Sequence, residues 1–484
     1  MKKITLLSTG LIIQGFVFVG NVKAQSSEML NLLIEKKLIT QREVDSINAV
    51  TAVKEQEKPK DKTFTIGAEL RTRAEYRDGY RNLVPVGDTA VPAFFTNQRS
   101  RIVLTYEQKN KFILHTSIQD VRVWGQNDPK SNNATLQLFE AFAEVFISPK
   151  FSVKLGRQKI ALDNQRLFAE NDWRVNANAH DAANFKYYGD KLSSELIFAF
   201  NQTSSNNGVV NQPNGEPIFG TTFNPGFTYY KTLGVHYLKY KISDLFTLTT
   251  INSADGYQKP NSKEGVYQRF TDGGRLEFEK GKFYATFSGY YQSGTNSTGT
   301  NINAWYIQPE IKFTKTDNLI IRLGAEVFSG NNAEKPSASD HNFVPLYGVA
   351  HRFNGNMDFF TTFPSDLNNA GLINPYLFFT KNAGKKVQFR SDFHLFYSEN
   401  NFINKVVYNK KTTTETINNY LGYENDLGVI FNPKPYIKID LGVSYAVPSA
   451  SMAIIKKGGE SLTIPTWAYL SVTFKPQLFK AIFN

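Results

Sequence analysis

The chain contains no cysteine among its 484 residues. That excludes disulfides, thiolate metal sites and a lipid-modified amino-terminal Cys. Histidine is scarce as well, and His115, His180, His236, His341, His351 and His394 are scattered without a His-Glu-x-x-His spacing. No glycine loop suited to cradling phosphate is present. The sequence therefore points to no cofactor, no metal and no catalytic constellation. Long hydrophobic runs are also missing: beyond Ala24 nothing approaches the roughly 18 consecutive apolar residues that a membrane helix requires. Lipid offers no hydrogen bonds to a backbone, so if this chain crosses a membrane it does so as a closed barrel.

The first 24 residues place Lys2 and Lys3 before an apolar stretch and end on the small-residue spacing Val22 and Ala24. This reads as a secretory signal peptide cleaved before Gln25. The formal charge of +12 includes Lys2, Lys3 and Lys23 of that segment, leaving +9 on the mature chain. Spread along the chain, this charge is not a nucleic-acid signature.

Residues 25–62 follow a different pattern. Leu30, Leu33, Ile34, Leu38, Val44 and Ile47 recur near helical spacing, and Thr40 is followed three residues later by Glu43, as in a capping box. The spacing predicts two short helices and a charged linker, serving as a periplasmic spacer or as a coiled-coil oligomerisation arm.

From 63 to 484 the period shifts from 3.6 to 2. Ile437, Ile439, Leu441, Val443 and Tyr445 oppose Lys438, Asp440, Gly442 and Ser444, and similar alternation recurs along the chain. Aromatics reach 14%, with 39 Phe and 24 Tyr, yet the mean hydropathy is −0.36. A barrel with one face on lipid, the other on water and aromatic girdles at both interfaces reconciles the two values. The segments from 64–76 to 465–475 number 18, with 16 as the near alternative. Short links such as Ser148-Pro149, Gly189-Asp190, Lys315-Thr316 and Asn432-Pro433 alternate with long ones such as 204–226, 329–369 and 447–464. A soluble sandwich has no reason to alternate loop lengths in this way; an outer-membrane barrel does. Lys475 to Asn484 reads as a short tail.

Leu155-Gly156-Arg157-Gln158, then Gln165-Arg166-Leu167-Phe168, Asp172-Trp173 and His180-Asp181-Ala182-Ala183, resemble the alginate export family of outer-membrane barrels. Asp120-Val121-Arg122-Val123-Trp124-Gly125 and Leu421-Gly422-Tyr423-Glu424-Asn425-Asp426-Leu427 look like other parts of the same pattern. Asn178 stands where family members often carry Arg. The resemblance implies an 18-stranded barrel and, in alginate-type export, passage of an anionic polyuronate through an arginine-lined constriction.

Strand parity turns Arg71, Arg73, Arg99 and Arg101 into the lumen, and the same reading places Arg122 there with Asp120 beside it. Arg166 and Arg174 lie on a neighbouring loop. Guanidiniums suit carboxylates, and fixed positive charge confers anion selectivity. Against this, Glu69, Glu75 and Asp120, with Glu424 and Asp426 elsewhere in the lumen, can pair with such bases and make them wall struts. The expectation is an outer-membrane porin for anionic solutes, with carboxylated sugars or polysaccharide as cargo. Membrane lipid and the barrel-assembly machinery are its expected partners, and a homo-oligomer is compatible. Its alternatives are a surface adhesin or structural barrel, for which 329–369 would be a polar partner-binding loop, and a barrel enzyme.

Overall fold

The computed structural model describes residues 32–36, 39–47, 61–84, 91–126, 136–201, 230–259, 265–316, 318–408, 411–456 and 464–484. The expected signal peptide and the connection 204–226 lie outside the described residues. In the amino-terminal segment, residues 32–35 and 41–47 are helical. The capping box is made: Thr40 N donates to Glu43 Oε2 at 2.7 Å and Glu43 N to Thr40 Oγ1 at 3.3 Å.

The alternating region forms strands β1 (Lys62–Asp78), β2 (Ala93–Gln108), β3 (Phe112–Val123), β4 (Gln137–Ser148), β5 (Phe151–Gln158), β6 (His180–Tyr188) and β7 (Leu192–Phe200). They continue as β8 (Thr232–Lys241), β9 (Phe246–Gln258), β10 (Val266–Lys280), β11 (Phe283–Gly294), β12 (Ala304–Thr316), β13 (Leu319–Phe328), β14 (Leu372–Ala383) and β15 (Val387–Tyr397). A hairpin of β16 (Phe402–Tyr408) and β17 (Lys411–Ile417) pairs only with itself. The wall resumes with β18 (Tyr420–Lys434), β19 (Ile437–Pro448) and β20 (Thr466–Phe474), and the chain ends in β21 (Gln477–Phe483).

Each wall strand pairs antiparallel with the next, β15 meets β18, and β20 returns to β1 with Leu70 opposite Phe474 and Asp78 opposite Thr466. Eighteen strands thus close on themselves. No helix among the described residues is long and apolar enough to cross a membrane. Tight turns join even-numbered strands to the following odd ones up to β15, and β18 to β19, at one end. Long connections gather at the other, the loop end.

The two faces invert the usual rule of burial. Leu70, Ile102, Leu155, Phe287, Leu323 and Leu441 are exposed, while Glu69, Arg99, Glu326 and Glu424 are buried. Lipid receives the apolar face, and the charged face turns onto the lumen. Pro309 is accommodated within β12 opposite Phe287.

Two segments differ from the sequence reading. Lys475 to Asn484 contains β21, which extends the line of β20 along β1: Ala68 N donates to Pro476 O at 3.1 Å, and Phe64 and Phe479 meet edge to face at 6.3 Å. Proline removes a donor but keeps its carbonyl, so pairing continues through Pro476. The connection 329–371 is not a polar outward loop. Phe343, Met357, Phe359, Phe360 and Leu367 are all buried within it.

Leu441 and Leu470 face each other across β19 and β20 on the lipid side, 45% and 44% exposed. Leu441→Arg should destabilise the folded barrel by about 2–4 kcal/mol in a vesicle-based folding titration. Thr473→Arg, on the lumen side of β20, should insert like the parent.

Candidate functional site

The motif at the end of β5 shows how the wall delivers a loop into the lumen. Gly156 has φ +117°, and a Cβ there would lie 2.3 Å from Ala141 O, so only glycine fits this kink. Two residues on, the buried Gln158 amide donates to the carbonyls of Lys154, Gly156 and Ala182 at 3.3, 3.1 and 2.8 Å. The kink is thereby fixed where the chain leaves the wall. The next segment, 159–179, folds inward with Ile160, Leu162, Leu167 and Phe168 buried.

The connection between β13 and β14 folds in to meet it. Tyr347 N donates to Leu167 O at 2.9 Å, Ala169 N to Tyr347 O at 3.2 Å and Val349 N to Gln165 O at 3.1 Å. The first two bonds form an isolated parallel bridge between Phe168 and Tyr347, and the three together join the two inner loops. Arg166 bolts both to the wall: its Nε lies 2.8 Å from Glu326 Oε1, Nη1 donates to Val349 O at 2.7 Å and Nη2 to Asn354 Oδ1 at 2.7 Å. The guanidinium also lies over the Phe328 and Phe353 rings. Glu326 is fully buried and takes further donors from Tyr306 and Asn354. Arg166 is therefore a strut between loop and wall. It does not line the pore, because its charge is spent against a carboxylate on β13 that is distant in sequence.

Glu424 and Asp426 act similarly on β18. Glu424 Oε1 accepts from Met357 N at 2.8 Å, and Asp426 Oδ2 from Asn356 N at 3.2 Å. Both are buried and hold the second inner loop from β18, three strands round the wall from β13.

The arginines of β1 and β2 form a charged cluster with acids of the same wall. Alternation turns Glu69, Arg71, Arg73 and Glu75 inward on β1, and Arg99 and Arg101 inward on the adjacent β2. Arg99 Nε donates to Glu69 Oε1 at 2.8 Å, Arg73 Nε to Glu75 Oε1 at 2.8 Å and Arg101 Nη2 to Gln119 Oε1 at 2.7 Å. Glu75 also receives Arg77, Asn97 and the Trp467 indole N–H. The remaining donors reach the first inner loop. Arg71 binds the carbonyls of Asp172 and Arg174 at 2.6 and 2.8 Å, and Arg73 binds that of Trp173 at 2.8 Å while its guanidinium stacks 4.1 Å from the indole centroid.

The Asp172 side chain enters the same cluster, 2.9 Å from Arg99. Burial would raise its carboxyl, but Arg99, Arg71 and Arg101 outweigh that and hold it below the ordinary aspartate range.

Arg122 is not in the cluster. Arg101 pairs with Gln119 across β2 and β3, both facing inward. Three residues on, Arg122 has the opposite parity and lies on the outer face with Asp120, 2.6 Å away. The irregularity in this region falls between β3 and β4 and leaves the β2 pairing intact, so nothing rotates Arg122 inward.

Above the cluster, at the loop end, opens a cavity of about 1320 Å³. Arg73, Arg77, Arg81, Arg157 and Arg174 line it against two acids, Asp181 and Asp358. Asp358 is taken by His351 at 2.7 Å and by the Tyr80 hydroxyl, and Asp181 by Arg157 at 3.1 Å. Arg174 is exposed and has no ion pair among the described residues. Asn178, in the departure from the family pattern, also lines this cavity and ties its loop back through the Ala169 carbonyl.

Sequence reasoning overlooked Asp172, Arg77, Arg81 and Arg157 as members of the site. Arg77 could have been found by carrying the odd-residue alternation of β1 two residues further. Asp172 and Arg157 were visible only as parts of a motif, and Arg81 lies past the strand at φ +67°, where no periodicity applies.

A family model described as alginate export matches residues 62–452. No curated protein matches the chain. Among solved structures, OccK11 (OpdR) of Pseudomonas aeruginosa superposes with a TM-score of 0.54 at 12% identity, over 86% of this chain and 96% of that one. A BenF-like porin from Pseudomonas fluorescens Pf-5 gives 0.54 at 10%, over 86% and 99%. Acinetobacter baumannii OccAB4 gives 0.53 at 11%, over 87% and 100%. At these identities the likeness is one of fold.

Arg166→Leu should strand Glu326 without its countercharge. The expected loss is about 3–5 kcal/mol of stability, together with a larger, noisier single-channel conductance as the inner loops leave the lumen. Arg166→Leu combined with Glu326→Gln should recover part of both.

Proposed function

Because this chain belongs to the alginate export family and has the fold of outer-membrane porins, we propose that its pore passes anionic solutes, carboxylated sugars or polysaccharide among them. The vestibule carries this reading. Of its five arginines, Arg73 and Arg77 share Glu75 and Arg157 pairs with Asp181, while Arg81 and Arg174 have no ion pair among the described residues, so the described part of the vestibule keeps positive charge at the loop end. Beneath it, Arg71, Arg73, Arg99 and Arg101 on neighbouring strands add their fields where the inner loops have displaced high-dielectric water. The fork of a guanidinium suits the two oxygens of a carboxylate by geometry as well as by charge.

The adhesin reading rested on 329–369 as an exposed polar loop, and the burial of its aromatics in the lumen removes that support. The family and the porin-like fold favour a transporter over an enzyme.

Reversal potentials in planar bilayers across a KCl gradient test the proposal. The unmutated channel should prefer anions. Arg81→Glu with Arg174→Glu should shift the potential toward cations at low salt. The shift should fade near 1 M, where the screening length falls from about 10 Å at 0.1 M to about 3 Å. A cation-preferring parent channel would overturn the proposal.

A further inference from the structure

Three wall guanidiniums aim at one point, and the group found there belongs to the chain itself. Arg99 Nη1 lies 2.9 Å from Asp172 Oδ1, Arg71 Nη1 3.5 Å from Oδ2 and Arg101 Nη1 3.9 Å from Oδ1. Arg99 and Arg101 stand on β2 of the closed wall and are held from behind by groups other than Asp172, while Arg71 on the adjacent β1 binds the backbone carbonyls of Asp172 and Arg174. Glu69 takes the Nε and Nη2 of Arg99, and Gln119 takes the Nε and Nη2 of Arg101. The forward donors of Arg99 and Arg101 would keep the same direction if the Asp172 carboxylate swung away. Asp172 differs from its partners in two ways: it sits on a loop, and its side chain is 42% exposed whereas those of Arg99 and Arg101 are 1% and 6% exposed. The cluster is thus closed toward the wall and open on the side of the carboxylate.

We propose that Arg71, Arg99 and Arg101 form a carboxylate-binding site for the translocated solute, and that Asp172 occupies it as a tethered competitor. The proposal deepens the anion-pore reading and rests on it. A solute carboxylate arriving from the vestibule exchanges with Asp172 charge for charge, so the guanidiniums are never left bare in a partly dehydrated lumen. When the solute moves on, Asp172 returns. Such a competitor lowers the affinity of the site without removing its selectivity, which suits a pore, where binding must favour entry and still permit exit. A tethered group acts at an effective concentration in the millimolar range, so free carboxylates exchange with it at comparable concentrations.

Asp172→Asn tests this, since the amide keeps the shape and a carbonyl acceptor but loses the charge. The probe is glucuronate, with glucose as the neutral control, read as block of the chloride current through the full-length channel. Glucuronate should block Asp172→Asn at about tenfold lower concentration than the parent, with glucose unchanged. Asp172→Glu, which restores a tethered carboxylate, should stay within about twofold of the parent.

If the parent prefers anions yet glucuronate blocks Asp172→Asn no more tightly, the competitor idea fails while the pore reading stands. If Asp172→Glu tightens block as much as Asp172→Asn, loosening of the loop explains the effect and the proposal falls. A cation-preferring parent would sink the pore reading itself, which separates the two failures.

Discussion

Lipid neither donates nor accepts hydrogen bonds, and this one constraint organises the molecule. Each strand in the wall must find partners on both edges, so the sheet closes, and β20 comes back to β1 in register. Closure with eighteen strands leaves a lumen too wide for wall side chains to fill. Alternation then sends every second side chain into that space, and on β1 and β2 these are Glu69, Arg71, Arg73, Glu75, Arg99 and Arg101. The lumen must be occupied by something that can satisfy them, and two inward-folded loops supply it.

Those loops are held by buried charged groups of the wall, one through an ion pair and one through backbone hydrogen bonds. Arg166 on one loop reaches Glu326 on β13, while Glu424 and Asp426 on β18 receive backbone donors from the other. Buried charge of this kind adds little net stability compared with apolar packing but is severely penalised when one partner is lost. Its effect here is to specify position. Aromatic packing fills the space around it, with Tyr306, Phe328 and Phe363 in contact at centroid distances of 4.6 and 4.8 Å.

The arginines consequently divide into two kinds that a residue count does not separate. Arg166 is spent on structure, whereas Arg174 stands open to the vestibule eight residues later in the same loop. Between them, Arg99 and Arg101 are fixed from behind and presented forward, and Arg71 beside them holds the loop backbone. Selectivity depends on the charge left after internal pairing, so it follows from which carboxylate each guanidinium reaches.

Much of the wall was legible in the sequence because a period of 2 and the alternation of short and long links are local properties. All eighteen wall strands lie where alternation placed them, with ends displaced by a few residues. Local signals also misled. Lys475 to Asn484 was read as a tail although Pro476 keeps a carbonyl that can pair, and Arg122 was assigned inward although it lies an odd number of residues from the inward Gln119.

The inward fold of 329–371 was not legible, since its apolar residues have no period and are buried by contact with β12, β13 and another loop. The same holds for the site. Composition and alternation by themselves determined a barrel with arginines on the inner face of its first two strands. Only the tertiary structure decided which of those charges stay available. The contacts that settle it, Arg166 with Glu326 and Arg99 with Asp172, join residues 160 and 73 positions apart, and closure of the ring, not local sequence, brings them together.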